Sequence, residues 1–482
     1  MSDRLLSGHG PLDEVLGGGL PVNAISLIAG LPGTGKTVIA QQYVFRNARP
    51  ERPAVYFSTV SEPLEKIVRF GQNLDFFDRA AVGESVFYED LGAVVGTGGL
   101  AGVTKQIAAV LKERRPGLVV IDSFKALHPF AGSHADFREF LHELAGMLGA
   151  LAVSSLWVGE YEEAETGSLP EFAVADAILS LSIERIGQRA VRFLTVQKLR
   201  GSSFRSGQHA YRLSGSGLHL FPRLADTLIE AEYEFGDARV SSGIPALDEL
   251  LGAGYQPGTS TLLAGPSGSG KTLMGLHFIF NGARQGEPGV IASLQENRSQ
   301  LQRVTAGFGW SLDEPHVEMM YRSPVDIYID EWVYELIQAV ERTGARRVLL
   351  DSLGDLRLTV TDETRFQEFT YSLVQRFSRQ GVSVMMTIES PDLFRAERLS
   401  ESAESRLSDN VVLLSYIREK NAINRTMTVI KSRASHHQPA ICQFTIGPHG
   451  IVLAHSPGSP TEPADPPSPK RTAPRRASRP KT

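Results

Sequence analysis

Short apolar runs rich in β-branched residues occupy positions 24–29, 54–57, 118–121 and 151–154. Between them lie longer stretches, such as 137–148, in which apolar residues return every three or four positions. The same alternation comes back further along, with compact runs at 260–264, 289–293, 348–350 and 382–387 and a helical period at 366–377. Runs of that length predict buried strands, and the longer period predicts amphipathic helices. Strands alternating with helices imply parallel pairing through crossovers, so the predicted fold class is α/β, with a mostly parallel sheet covered on both faces.

The alternation returns because the chain is duplicated. The segment 12–21, LDEVLGGGLP, comes back as LDELLGAGYQ at 247–256, and GLPGTGKT at 30–37 comes back as GPSGSGKT at 265–272, both displaced by 235 positions. Asp122-Ser123 pairs with Asp351-Ser352 at an offset of 229, and Lys198-Leu199-Arg200 with Lys431-Ser432-Arg433 at 233. A drift of six positions over so long a span means one fold used twice with small loop differences. The expected domains are 1–235 and 236–455, followed by a tail at 456–482.

Composition changes the picture mainly at that tail. The 482 residues are 42% hydrophobic and 21% charged, as expected of globular domains, with a net charge of −5. The tail alone carries +4, which leaves the first 455 residues at −9, and eight of the 27 prolines fall within it. Such a segment cannot bury enough apolar surface to offset its ordering entropy and is expected to be disordered. The acidic remainder lacks the basic signature of a nucleic-acid coat. The single cysteine, Cys442, excludes an intrachain disulfide and multi-thiolate zinc sites. No stretch reads as a membrane span, and a cytoplasmic protein is expected.

Both glycine-rich loops satisfy G-x-x-x-x-G-K-[ST] between a predicted strand and a predicted helix, the context a P-loop requires. Gly30, Gly33, Thr34 and Gly35, with Gly265, Gly268, Ser269 and Gly270, allow the backbone to curl so that N–H groups face phosphate oxygens at a helix N-terminus. Lys36 and Lys271 are expected on the β- and γ-phosphates, and Thr37 and Thr272 on Mg²⁺. Asp122 and Asp351 each end an apolar strand downstream of a P-loop, the position of a carboxylate that holds Mg²⁺ through water. The expected cofactors are therefore ATP and Mg²⁺ in each half.

Taken in order, the Leu-Asp-Glu opening, the glycine-rich stretch, the P-loop, the Asp-Ser pair and the Lys-x-Arg element resemble the tandem RecA-like ATPases of the KaiC family, over nearly all of residues 4–455. The resemblance implies a homohexamer of two stacked rings with ATP between neighbouring subunits. It also implies ATP hydrolysis mainly in the first half and Ser/Thr autophosphorylation in the second, within a signalling or timing system that includes a regulatory protein. Lys198 with Arg200, and Lys431 with Arg433, are then expected on edge strands as trans-acting pairs that neutralise γ-phosphate charge in the adjacent subunit.

The catalytic carboxylates depart from the family pattern of two adjacent glutamates. The second half has Gln295-Glu296, keeping only the second acid, and the first half has Val60-Ser61 with Glu62 one residue late. An amide can orient a nucleophile but cannot act as a general base. Slow hydrolysis is expected, with the second half the better equipped. Ser405 aligns with the first of the family's two phosphoacceptors, and Arg406 replaces the second. Two other functions fit the same residues: a RecA-like recombination or repair ATPase, and a nucleotide-gated scaffold with weakened catalysis.

Overall fold

A computed structural model describes residues 4–60, 63–165, 167–186, 189–224, 238–325, 327–360, 362–390, 403–419, 422–433, 437–438 and 440–453. The tail 456–482, and with it the expectation of disorder, lies outside them.

Each half is built on a nine-stranded sheet. In the first half the order is Val86–Asp90, Ala54–Ser58, Leu118–Asp122, Ser154–Gly159, Ile25–Gly30, Ala177–Ile186, Arg189–Leu199, Gln208–Ser214 and Gly217–Phe221. The first six are mutually parallel and the last three are added by antiparallel hairpins. The second half repeats this order strand for strand: Val317–Tyr321, Gly289–Ser293, Arg347–Asp351, Ser383–Glu389, Ser260–Gly265, Asn410–Glu419, Ala422–Ser432, Cys442–Gly447 and Gly450–Leu453.

Alternate side chains of each strand feed two separate cores. In the first half Leu27, Val55, Ile121 and Trp157 pack on one face beneath Gly92–Arg114 and His134–Ala150, while Ile28, Tyr56, Val120 and Leu156 pack on the other beneath Lys36–Asn47. Each fully buried aliphatic side chain contributes about 1.5–3 kcal/mol. That two-sided burial is why the parallel strands read as continuous apolar runs rather than as an alternation. It also leaves the carboxyl ends of the central strands as the open rim of each sheet, where ligands bind in folds of this kind.

Three sequence expectations are corrected. The apolar run at 151–154 is not a strand, because Leu151 caps the helix His134–Ala150 and is half exposed, Ala152 turns the chain at φ +51°, and the strand begins at Ser154. The strands carrying Lys198 and Lys431 are not edge strands, since each is covered by a further hairpin that pairs with its middle residues. Finally, Gly92–Arg114 is 23 residues long with a mean hydropathy of 1.3 over its most apolar window, the length and composition of a membrane span, although it breaks at Gly99 (φ +60°, ψ −158°). Its Val95, Val103, Ile107, Val110 and Leu111 are packed into the sheet core, as in a covering helix.

The halves meet where the hairpin side of the first sheet rests on two helices of the second half, Ile329–Thr343 and Glu363–Arg379. Ion pairs join Arg212 to Glu331 (2.6 Å) and Arg223 to Glu368 (2.5 Å), and Arg365 lies over the Phe193 ring at 4.6 Å.

Candidate functional site

Each P-loop leaves the central strand of its sheet and enters a helix, Lys36–Asn47 or Lys271–Arg284. The residues N-capping these helices, Gly35 and Gly270, have φ of +88° and +104°, and Gly33 and Gly268 are likewise left-handed at +79° and +74°. Only glycine adopts those angles without steric cost. At Gly35 the space is also occupied, for a Cβ there would stand 2.3 Å from Leu213 Cδ1. Gly35→Ala is therefore expected to destabilise the first half by about 1–3 kcal/mol and to lose nucleotide there. Thermal unfolding measures the first effect, and an unchanged melting temperature would contradict it.

The loops are clasped from the hairpin side. Tyr211 donates from its hydroxyl to Thr34 O (2.6 Å) and Arg192 Nε to Gly33 O (3.2 Å). In the second half Tyr416 donates to Ser267 O (3.3 Å) and Arg425 Nε to Gly268 O (3.4 Å). Lys36 Nζ donates to Leu31 O at 3.0 Å, and Lys271 Nζ to Gly265 O and Pro266 O, both at 2.9 Å. Burial pulls both ammonium groups below the ordinary lysine range, opposed by Glu160 and Asp122 around Lys36 and by Glu389 and Asp351 around Lys271.

The expected metal residues come together. Thr37 Oγ1 donates to Asp122 Oδ2 at 2.8 Å and Thr272 Oγ1 to Asp351 Oδ2 at 2.7 Å. These hydroxyl and carboxylate oxygens are hard donors of the kind that would hold Mg²⁺. The halves anchor the aspartate differently. Tyr56 donates to Asp122 Oδ2 at 2.5 Å, whereas Thr387 donates to Asp351 Oδ1. In both halves a cis peptide follows the aspartate. Burial raises the Asp351 carboxyl above its usual range, with the Thr387 and Thr272 hydroxyls opposing.

A cleft of about 330 Å³ in the second half is lined by Gly268, Gly270, Lys271, Thr272, Gln295, Glu296, Asp351 and Glu389. Glu296 reaches it through a turn in which Ser293 Oγ donates to Glu296 O (2.8 Å) and accepts from Glu296 N (3.1 Å). Its Oε2 is buried without a hydrogen-bond partner, as is Ser269 Oγ in the loop. Burial, reinforced by Asp351, raises the Glu296 carboxyl above its usual range. Orphaned polar atoms, a desolvated lysine and hard oxygen donors in one cleft fit a magnesium nucleotide. In the first half the register holds, because Thr59 N meets Asp122 O as Leu294 N meets Asp351 O (2.9 and 2.7 Å). Val60, which is half exposed, therefore stands where Gln295 does; Glu62 lies outside the described residues.

The Lys-x-Arg pairs bond away from their own P-loops. Lys198 Nζ donates to Phe172 O and Ala173 O (3.3 and 3.1 Å) and Arg200 pairs with Asp176 (3.1 Å). Lys431 Nζ donates to Ser405 O and Ser408 O (3.0 and 2.7 Å), and Arg433 contacts Arg406 O (3.2 Å) and Asp409 (3.8 Å). Ser405 lies in the short helix Ala403–Leu407 and is only 7% exposed.

Sequence reading missed Glu160, Glu389, Arg192, Arg425, Tyr56 and Thr387. The repeat held the signal for four of them, since Glu160 and Glu389 differ by the 229 positions that separate the two aspartates, and Arg192 and Arg425 by the 233 that separate the Lys-x-Arg pairs. Tyr56 and Thr387 have no counterpart in the other half and needed the fold.

The sequence profile of the KaiC ATPase family matches residues 7–225 and again 240–457. The chain is 26% identical over 460 residues to a circadian clock oscillator protein KaiC of Picosynechococcus, covering 92% of this chain and 88% of that one. It is 27% identical over 470 residues to the circadian clock protein KaiC3 of Synechocystis, covering 94% and 92%. The same comparison with the KaiC of Synechococcus elongatus gives 25% over 460 residues, covering 92% and 88%. Two P-loops on two copies of one sheet, and a family match that spans both, establish that the chain belongs to the KaiC ATPase family.

Proposed function

We propose that the protein is a cytoplasmic, Mg²⁺-dependent ATPase that assembles as a homohexamer with ATP between neighbouring subunits and phosphorylates its own Ser405. It would serve as a signalling or timing module read by a regulatory protein. The observation that carries the reading is the direction of the Lys-x-Arg contacts: all four cations are held by short segments outside their own phosphate cleft. A cation placed that way is clear of its own phosphates, which supports a role at the γ-phosphate of an adjacent subunit.

When bound, ATP and Mg²⁺ supply the transferable phosphoryl group and the charge neutralisation for its transfer. The chain supplies the rest. The P-loop amides and Lys271 orient the phosphates, and Thr272 and Asp351 provide oxygen donors. Gln295 orients the nucleophile by hydrogen bonding, and Glu296 accepts its proton. For hydrolysis the nucleophile is water. For autophosphorylation it is the Ser405 hydroxyl, whose oxygen bonds to the γ-phosphorus as the bond to the ADP leaving group breaks, its proton passing to Glu296. Because Ser405 is buried and Lys431 holds its carbonyl, transfer requires the helix Ala403–Leu407 to open.

In the first half Val60 and Ser61 align with Gln295 and Glu296, so neither the orienting amide nor the proton-accepting carboxylate is supplied there. That favours a second reading for this half alone, as a nucleotide-gated scaffold with weak turnover. Native mass measurement with ATP, followed by phosphosite mapping on the same sample, tests the proposal. Arg200→Ala and Arg433→Ala are each expected to weaken the ring or slow turnover about tenfold or more. Unchanged mass and turnover in both would refute the trans arrangement, and absence of phosphate on Ser405 after incubation with Mg-ATP would refute the autokinase.

A further inference from the structure

Glu171 is a fully buried carboxylate that the phosphate chemistry does not use. It lies in the short helix Pro170–Val174, its Oε1 accepts from His128 Nε2 at 2.8 Å, and its carboxylate also lies against the buried Tyr161 hydroxyl. A buried carboxylate is costly to desolvate even when paired, and apolar residues of similar size would stabilise the fold at least as well. The pair therefore calls for a reason other than stability.

Its two ends supply one. His128 sits on a turn of 3₁₀ helix, Lys125–Phe130, that continues directly from Asp122. That connection is stiff. Thr59 Oγ1 bonds both the N–H and the carbonyl of Ser123 at 3.0 Å, Phe124 N donates to Val158 O at 2.6 Å, and the Phe124 ring stacks on Trp157 at 4.1 Å. At the other end, the two residues after Glu171 are Phe172 and Ala173, whose carbonyls hold Lys198 Nζ. The same segment ends at Asp176, which holds Arg200 and accepts from Ile25 N (3.1 Å) at the start of the P-loop strand.

We propose that Glu171 is a positioning residue that joins the metal-binding aspartate of a subunit's own site, through His128, to the Lys198 that the subunit presents to its neighbour. The inference rests on the trans reading of Lys198 and Arg200 and deepens it, by naming the contact through which one ring site biases the next. A shift of Asp122 and Ser123 with nucleotide state moves His128, and the His128–Glu171 bond carries that shift to the carbonyls that aim Lys198. Such coupling is reciprocal in binding free energy.

The test uses the full-length chain carrying Lys271→Ala, so that turnover reports the first half. Glu171→Gln is expected to lower kcat about tenfold with KM for ATP changed by less than about twofold, because the P-loop is untouched. In the decisive cycle, Glu171→Gln combined with Lys198→Ala turns over no slower than Lys198→Ala alone, since both act through one cation. Additive losses, a change confined to KM, or normal kcat in Glu171→Gln would overturn the inference while a slow Lys198→Ala preserved the trans reading. If Lys198→Ala leaves turnover and ring mass unchanged, the trans reading fails and this inference with it. Should Glu171→Gln not fold, His128→Gln, at the more exposed end of the same bond, completes the same cycle under the same criteria.

Discussion

Glu296→Gln is expected to lower ATP turnover in the second half about 100-fold, the usual contribution of a positioned general base, while ATP still binds. Glu296 is the acid that lines the cleft beside Lys271, Thr272 and Asp351 from the strand end where the family's catalytic pair belongs, and its neighbour Gln295 cannot take a proton. The measurement is steady-state turnover in a Lys36→Ala background, where only the second site reports. Equal rates for Glu296 and Gln would remove the assignment.

The raised titration of Glu296 fixes the sign of two accompanying effects. The carboxylate base is lost as pH falls through a value above the ordinary carboxylate range, so the acid limb of kcat starts at higher pH than usual and is missing in the variant. The second effect concerns the nucleotide-free fold. Because the folded carboxyl titrates higher than the unfolded one, an ionised Glu296 destabilises the fold at neutral pH, and the penalty disappears below the ordinary range. Glu296→Gln should therefore raise the melting temperature by roughly 2–4 °C near pH 7 and leave it unchanged in acid. A fall in melting temperature at neutral pH would show that the carboxylate is structural.

Lys36→Ala and Lys271→Ala are each expected to remove one of two bound nucleotides per chain. Both ammonium groups are largely withdrawn from water and are met only by loop carbonyls, and both are pulled toward the neutral form by that burial. A phosphate would replace those neutral acceptors by an anion and oppose the effect of burial on the ammonium group. Charge-assisted bonds of this kind are worth about 1.5–3 kcal/mol each, so affinity at the altered site should fall roughly 10- to 150-fold. Counting nucleotide released from gel-filtered protein checks this. Two nucleotides retained by either variant would mean that its loop binds without its lysine, and none retained would mean that the two halves do not fill independently.

The phosphate-binding part of each site was legible because it is continuous in the chain. A loop that cradles phosphate uses backbone N–H groups, so its requirements fall on consecutive residues and appear as a spaced glycine pattern ending in Lys-Thr. Asp122 and Asp351 were legible for a related reason, since a buried parallel strand ends in a polar residue at the sheet rim, and the repeat marked which one. Ser154–Gly159 shows where that reasoning stops. The apolar Leu151 looked like the start of a strand, but it caps a helix, and the left-handed turn at Ala152 could not be read from an alanine.

The sequence by itself determined the duplication, the α/β class, both phosphate loops and the residue types available at each catalytic position, because all of these depend on local pattern. The tertiary structure alone decided which side chains from distant strands meet. It left Glu296 Oε2 buried without a hydrogen-bond partner, and held Asp122 by Tyr56 but Asp351 by Thr387. It also turned Lys198 and Lys431 away from their own loops and brought Glu171 onto His128. Those meetings depend on strand order and register, where one residue of slip sends a side chain to the opposite face, and no spacing along the chain encodes that order directly.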